Sequence, residues 1–131
     1  MRVLVFIMVA VATWSCQSQQ KQENMAPKAF SQAIAEDKKA VVVDVRTDRE
    51  VAGGMIAGAV HMDINSPDFR DRVAKLDKDK TYYVYCLSGG RSASAVSYFK
   101  EIGIENVVNL DGGIRGWQNS GLPLVKPQDT K

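Results

Sequence analysis

Residues 86–92 read CLSGGRS. A single thiol, Cys86, is followed by Leu87, Ser88, the glycines Gly89 and Gly90, Arg91 and Ser92. The run TYYVY before it is of strand type, and ASAVSYFKEIG after it is of helix type. A thiol at the carboxyl end of a strand, just before a helix begins, lies where unpaired backbone N–H groups carry positive potential. The glycines allow the connection to curl with its N–H groups inward, as an anion nest. That field favours thiolate over thiol and lowers the Cys86 pKa. A thiolate ringed by amide donors, with Arg91 adding charge, is an activated nucleophile for a small, negatively charged electrophile. On the residues alone, Arg91 either touches that substrate or braces the loop by bonding carbonyls. Ser92 is placed to cap the helix and to donate to the sulfur.

The elements that must position this loop alternate along the chain. PKAFSQAIAEDKK has Phe30, Ala33 and Ile34 at helical spacing, with Pro27 suited to a first turn. AVVVDV (40–45) reads as a buried strand. Thr47 with Glu50 three residues on is a capping-box pattern for a short helix. AGAVHMDI (57–64) reads as a short strand and turn. In SPDFRDRVAKL, Ser66 is cap-like, Pro67 takes a first helical position, and Phe69, Val73 and Leu76 make one stripe. TYYVYC (81–86) is a strand. The helix after the loop ends at Gly103, suited to a left-handed cap. NVVNL (106–110) is a further strand. Gly112 and Gly113 mark a tight turn before a short helix whose Trp117 belongs to the core. Strands alternating closely with helices predict an α/β fold, with a mainly parallel sheet covered by helices on both faces. Ligands of such sheets bind beyond the carboxyl ends of the strands. Asp44 and Arg46 face that same end, as polar contacts that fix neighbouring loops.

The chain has 131 residues, 45% apolar and 24% charged, which suits one packed domain and argues against disorder. A formal charge of +2 gives no case for nucleic acid. The N-terminus differs: Arg2 precedes an unbroken apolar run from Val3 to Ala12, too short for an ordinary spanning helix and of the size of a secretory signal core. Cys16 follows with Ser15 before it, and then the polar QSQQKQEN. This resembles a bacterial lipoprotein signal, although Thr13 and Trp14 depart from the usual pattern. The expected organisation is a signal over 1–15, a tether over 16–26 starting at a lipidated Cys16, a domain over 27–127 and a tail over 128–131. The expected location is the cell envelope, anchored by lipid and facing the periplasm. If Cys16 is lipidated, Cys86 has no intrachain partner, and a leftover thiol in an exported chain points to reactivity. One histidine, His61, and two separated cysteines give no zinc pattern.

Three motifs carry a resemblance. VDVRTDREVAGGMIAGA, CLSGGRS and LDGGIRGWQNSGLPL stand in the order and spacing of the single-domain rhodanese family of sulfurtransferases, over roughly residues 25–125. Met55 stands where that family usually has histidine, and Ala57 where it has proline. The resemblance implies a rhodanese-like fold and a mechanism without cofactor or metal. Cys86 takes a sulfane sulfur from a donor such as thiosulfate as a persulfide and passes it to a thiol or cyanide, or to a partner protein. The amides of 87–92 hold the anions. No histidine base is needed, so His61 is read as a surface or packing residue. Leu87 makes the loop less basic than in some thiosulfate-using relatives. The rivals are a non-catalytic rhodanese-like binding module, an envelope thiol-redox protein and a cysteine phosphatase. Phosphatases place five residues between Cys and Arg. Only four separate Cys86 from Arg91, a smaller ring that suits sulfur better than phosphate.

Overall fold

A computed structural model describes residues 23–127. The signal-type segment, Cys16, most of the tether and the tail 128–131 lie outside the described residues. In chain order the elements are β1 (Asn24–Met25), α1 (Pro27–Glu36), β2 (Ala40–Asp44), α2 (Asp48–Ala52), β3 (Val60–His61), α3 (Phe69–Ala74), β4 (Thr81–Tyr85), α4 (Gly90–Glu101), β5 (Val107–Leu110) and α5 (Gly113–Asn119). The five strands form one sheet in the order β1-β5-β4-β2-β3, and every pairing between them is parallel. The fold is the expected α/β architecture. An antiparallel bridge between Met55 and Val125 folds the chain's last described stretch back against the loop after α2.

Period-two alternation along the central strand sorts the core into two layers. Tyr82, Val84 and Cys86 point to one face of the sheet, where Phe69 and Val73 of α3 and Ala95, Val96 and Phe99 of α4 pack. Tyr83 and Tyr85 point to the other, against Phe30 of α1 and Ile114 and Trp117 of α5, and Leu87 continues that pattern. Phe30 is fully buried and meets Tyr83 and Trp117 edge-on, with ring centroids 5.3 and 6.3 Å away.

Several local expectations hold. Pro27 opens α1. Thr47 and Glu50 form a reciprocal capping box at α2. Gly103, Gly112 and Gly113 all have positive φ. Two differ. The helix after Ser66 begins only at Phe69: residues 66–68 make a turn in which the Ser66 carbonyl accepts from the Phe69 amide at 3.1 Å, so the proline sits in that turn instead of the first helical position. Asn24 and Met25, within the segment read as tether, instead add an edge strand to β5. Their backbone carries this pairing, with the Asn109 amide donating to the Glu23 carbonyl at 2.8 Å and the Asp111 amide to Met25 at 2.9 Å.

Candidate active site

Cys86 follows the last residue of β4, so its position is fixed by the most enclosed strand of the sheet. The backbone then turns through Gly89, whose φ of 109° a side chain would resist, and enters α4 at Gly90. Of the two loop glycines only Gly89 needs left-handed backbone. Gly90 has none, and a methyl group there would meet nothing within 4 Å.

The curl brings donors onto the sulfur. Cys86 Sγ accepts from the Gly89 amide at 3.1 Å and from Ser92 Oγ at 3.2 Å. Burial pushes the thiol pKa up, but donation from the Ser92 hydroxyl and from the amides of Ser92, Gly89 and Ser88 outweighs it. The net shift is below the ordinary thiol value. Ser92 is buried and does not cap α4: the N-cap is Gly89, without a side-chain cap bond. Its Oγ lies 3.2 Å from both Sγ and the Gly89 carbonyl. The hydroxyl has one proton for two acceptors, and a charged sulfur draws it more strongly than a carbonyl does.

A second helix start holds the loop from behind. The Ile114 amide donates to the Cys86 carbonyl at 2.9 Å and the Arg115 amide to Leu87 at 3.2 Å. Gly113 lets this happen: a Cβ there would stand 2.5 Å from the Leu87 carbonyl oxygen. The Leu87 side chain packs into the α1–α5 layer, away from the thiol face, so it does not front an anion beside Cys86 as the loop sequence suggested. Alternation past the end of β4 is the reason. Ser88 is the exposed side chain of the loop before the glycines.

Among the described residues Arg91 bonds a carboxylate and no carbonyl. Its two terminal nitrogens donate to the Glu50 carboxylate at 2.8 and 2.7 Å, a bidentate pair. Glu50 also accepts from the Thr47 amide at 3.0 Å and hydroxyl at 2.9 Å. The capping box of α2 is thereby tied to the loop. Arg91, helped by Thr47 and against partial burial, pulls the Glu50 pKa from 4.5 to about 2. Asp44 and Arg46 are buried and paired at 2.6 Å. Arg46 also donates to the Gly54 carbonyl at 2.7 Å, and the Tyr85 hydroxyl accepts from the Ile56 amide at 3.0 Å. The pair therefore ties the end of β2 to the loop after α2, without touching Cys86 in any hydrogen bond. His61 is half-buried and its Nε2 donates to the Arg46 carbonyl at 2.6 Å.

Two residues of this arrangement were not singled out for the site. Glu50 reads locally as a cap, and its bond to Arg91 spans 41 positions. Asn109 is a polar residue inside the run VVNL. Buried, it donates from Nδ2 to Asn24 at 2.9 Å and to the Gly89 carbonyl at 3.3 Å. Its polarity inside a fully buried strand was the signal available. Among the described residues no group of three or more His, Cys, Asp or Glu is placed to hold a metal.

Comparison with known proteins gives a consistent result. The family model described as "Rhodanese-like domain" matches residues 26–120. A protein named sulfurtransferase from Allochromatium vinosum is 37% identical over 101 residues, covering 77% of this chain and 92% of its own. The thiosulfate sulfurtransferase GlpE of Pseudomonas aeruginosa is 35% identical, covering 82% and 90%. Among solved structures, a rhodanese-related protein from Thermoplasma volcanium superposes with a TM-score of 0.68 at 34% identity, covering 79% of this chain and 96% of that one. A rhodanese-like domain protein from Staphylococcus aureus gives 0.68 at 31%, covering 80% and 100%. On its motifs, its parallel sheet and these likenesses, the chain belongs to the rhodanese-like domain family.

Proposed function

We propose that the protein is a sulfurtransferase working through a persulfide on Cys86. The observation that supports this most is the donor set on Sγ, from the Gly89 amide and the Ser92 hydroxyl, with the thiol pKa lowered despite burial. The thiolate attacks the outer sulfur of a donor such as thiosulfate. An S–S bond forms to Cys86, the donor's own S–S bond breaks, and its electron pair leaves on sulfite. Inward N–H groups of the loop stabilise the thiolate and then the persulfide. A thiol or cyanide removes the outer sulfur and returns the electron pair to Sγ. The downward shift of the Cys86 pKa enlarges the thiolate fraction that attacks the donor without a separate base.

Mass spectrometry of the purified protein after thiosulfate treatment tests this. One added sulfur is expected on Cys86, discharged by cyanide, and none on Cys86→Ser. Loading of the serine variant, or none on the wild type, would overturn the assignment.

For location, the proposal is export and lipid anchoring through Cys16, resting on the N-terminal sequence. The wild type should fractionate with envelope membranes and Cys16→Ala should be released or misprocessed; a wild type wholly soluble in the cytoplasm would refute it.

A further inference from the structure

Gly89 takes part in the loop's hydrogen bonding through both of its backbone groups. Its amide donates to Cys86 Sγ at 3.1 Å. Its carbonyl oxygen is approached by three donors: the Ala93 amide at 3.1 Å, Ser92 Oγ at 3.2 Å and Asn109 Nδ2 at 3.3 Å. A carbonyl oxygen offers two lone pairs. Ala93, in the first bond of α4, takes one of them. If Asn109 takes the other, the Ser92 hydroxyl is left with its second acceptor, Sγ, at 3.2 Å. Asn109 is set up for that bond. It lies in β5 and is 4% exposed. One Nδ2 proton goes to Asn24 Oδ1 at 2.9 Å, which leaves the other for Gly89. Turning the amide over would set Oδ1 against the Gly89 oxygen, acceptor against acceptor, so the network fixes which way it faces. In the orientation held, Oδ1 is buried and no group among the described residues donates to it. A buried acceptor left unpaired is costly, and a valine like its neighbours Val107 and Val108 would avoid that cost. The donor end accounts for an asparagine at this position.

We propose that Asn109 is a positioning residue of the sulfur site: by occupying the Gly89 carbonyl, it directs the proton of the Ser92 hydroxyl to Cys86 Sγ. The inference rests on the sulfurtransferase reading above, in which that sulfur is the nucleophile. Asn109 touches neither the sulfur nor the hydroxyl in any hydrogen bond, so it acts through Gly89 and Ser92. Its effect falls on the balance between thiol and thiolate. Without its donor, the Ser92 proton would bond the Gly89 carbonyl whenever Cys86 is protonated, and would have to leave that oxygen to meet the thiolate. The alternative bond stabilises the thiol form alone. With Asn109 in place the alternative is closed, and the hydroxyl faces the sulfur in both states. Asn24, from the edge strand β1, aims the amide by holding its other proton.

The test is a double-mutant cycle read on the thiol. In the full chain, the rate of alkylation by iodoacetamide at Cys86 is followed against pH, by mass spectrometry of the peptide that carries it. Asn109→Val should move the midpoint upward by roughly 0.4 to 1 pH unit, the size of one neutral hydrogen bond. In a Ser92→Ala background the same substitution should move it hardly at all, because there is no hydroxyl left to redirect. A merely structural role for Asn109 would shift both backgrounds alike. Asn24→Ala alters an exposed side chain and frees the Asn109 amide to turn. It should give a smaller upward shift that also vanishes with Ser92→Ala, and it decides the matter if Asn109→Val does not fold. No shift in the deciding variant, or equal shifts in the two backgrounds, overturns the assignment. Thiosulfate treatment of the wild type, read as one added sulfur on Cys86, keeps this result apart from the function itself. Coupled shifts without loading would leave the role of Asn109 standing and sink the sulfurtransferase reading. Loading without coupled shifts would sink the role of Asn109 alone.

Discussion

At the scale of single residues, the site depends on how few charges it exposes. Arg91 is the loop's only cation, and Glu50 holds both of its terminal nitrogens. A dianionic donor, as the proposed function supposes, would therefore meet a loop close to neutral, held together by amide dipoles. Adding a cation at exposed Ser88, as Ser88→Arg, should lower the KM for thiosulfate a few-fold, with the larger gain at low ionic strength. Leu87→Arg should give no such gain, because that position faces the α1–α5 layer. Steady-state kinetics at two salt concentrations separates the two variants. Ser92→Ala removes a hydroxyl donor to the sulfur and should raise the thiol pKa. Alkylation rate followed against pH should show its midpoint moving upward from the wild type's. Glu50 has a pH signature of its own. Its pKa is about 2 in the fold and near 4.5 when free, so its contribution is complete above about pH 4.5 and is lost as pH falls toward 2. The stability gap between wild type and Glu50→Gln, about 1–2 kcal/mol at neutral pH, should close over that window in acid titrations of unfolding. The thiol at the strand end, the loop and the capping box were all legible in the sequence, because each is a local pattern. The Arg91–Glu50 bond was not, since neither local spacing nor propensity links positions so far apart.

At the scale of elements, two helix starts converge on one strand end. α4 supplies donors to the sulfur, and α5 supplies amides to the carbonyls of Cys86 and Leu87. The convergence depends on Gly113, which combines a φ of 60° with a backbone approach that a β-carbon would block. Gly113→Ala should lower stability by roughly 2–4 kcal/mol and impair sulfur loading in the molecules that still fold. Gly90→Ala is the control: its backbone is already compatible with alanine, and the change should be neutral or stabilising by about 0.4–1 kcal/mol. Denaturant midpoints of the two variants should move apart. The main strands and helices were readable because apolar runs and glycine stops recur along the chain. β1 was not, for Asn24 and Met25 make no apolar run, and the bonds that join them to β5 link positions 85 residues apart. The helix start at Phe69 was misplaced because Ser66 and Pro67 fit a turn as well as a cap.

At the scale of the whole molecule, the sheet separates chemistry from support. The thiol and the buried side of α4 lie on one face, and the aromatic cluster around Phe30 lies on the other. Phe30→Ala should cost about 3–5 kcal/mol yet leave the alkylation rate of Cys86 in the folded fraction near that of the wild type. Calorimetry and alkylation on one sample check both halves. Cys86 itself is 1% exposed. A disulfide needs two Cβ atoms within about 3.5–4.5 Å, and two molecules could bring theirs so close only by unwrapping residues 87–92 from the sulfur. Unpaired cysteines in oxidising surroundings are ordinarily consumed in cross-links between chains. With residues 87–92 wrapped about it, the sulfur of Cys86 is withheld from its own copies and from bulky disulfides, so a cross-link between two molecules would first have to open the loop.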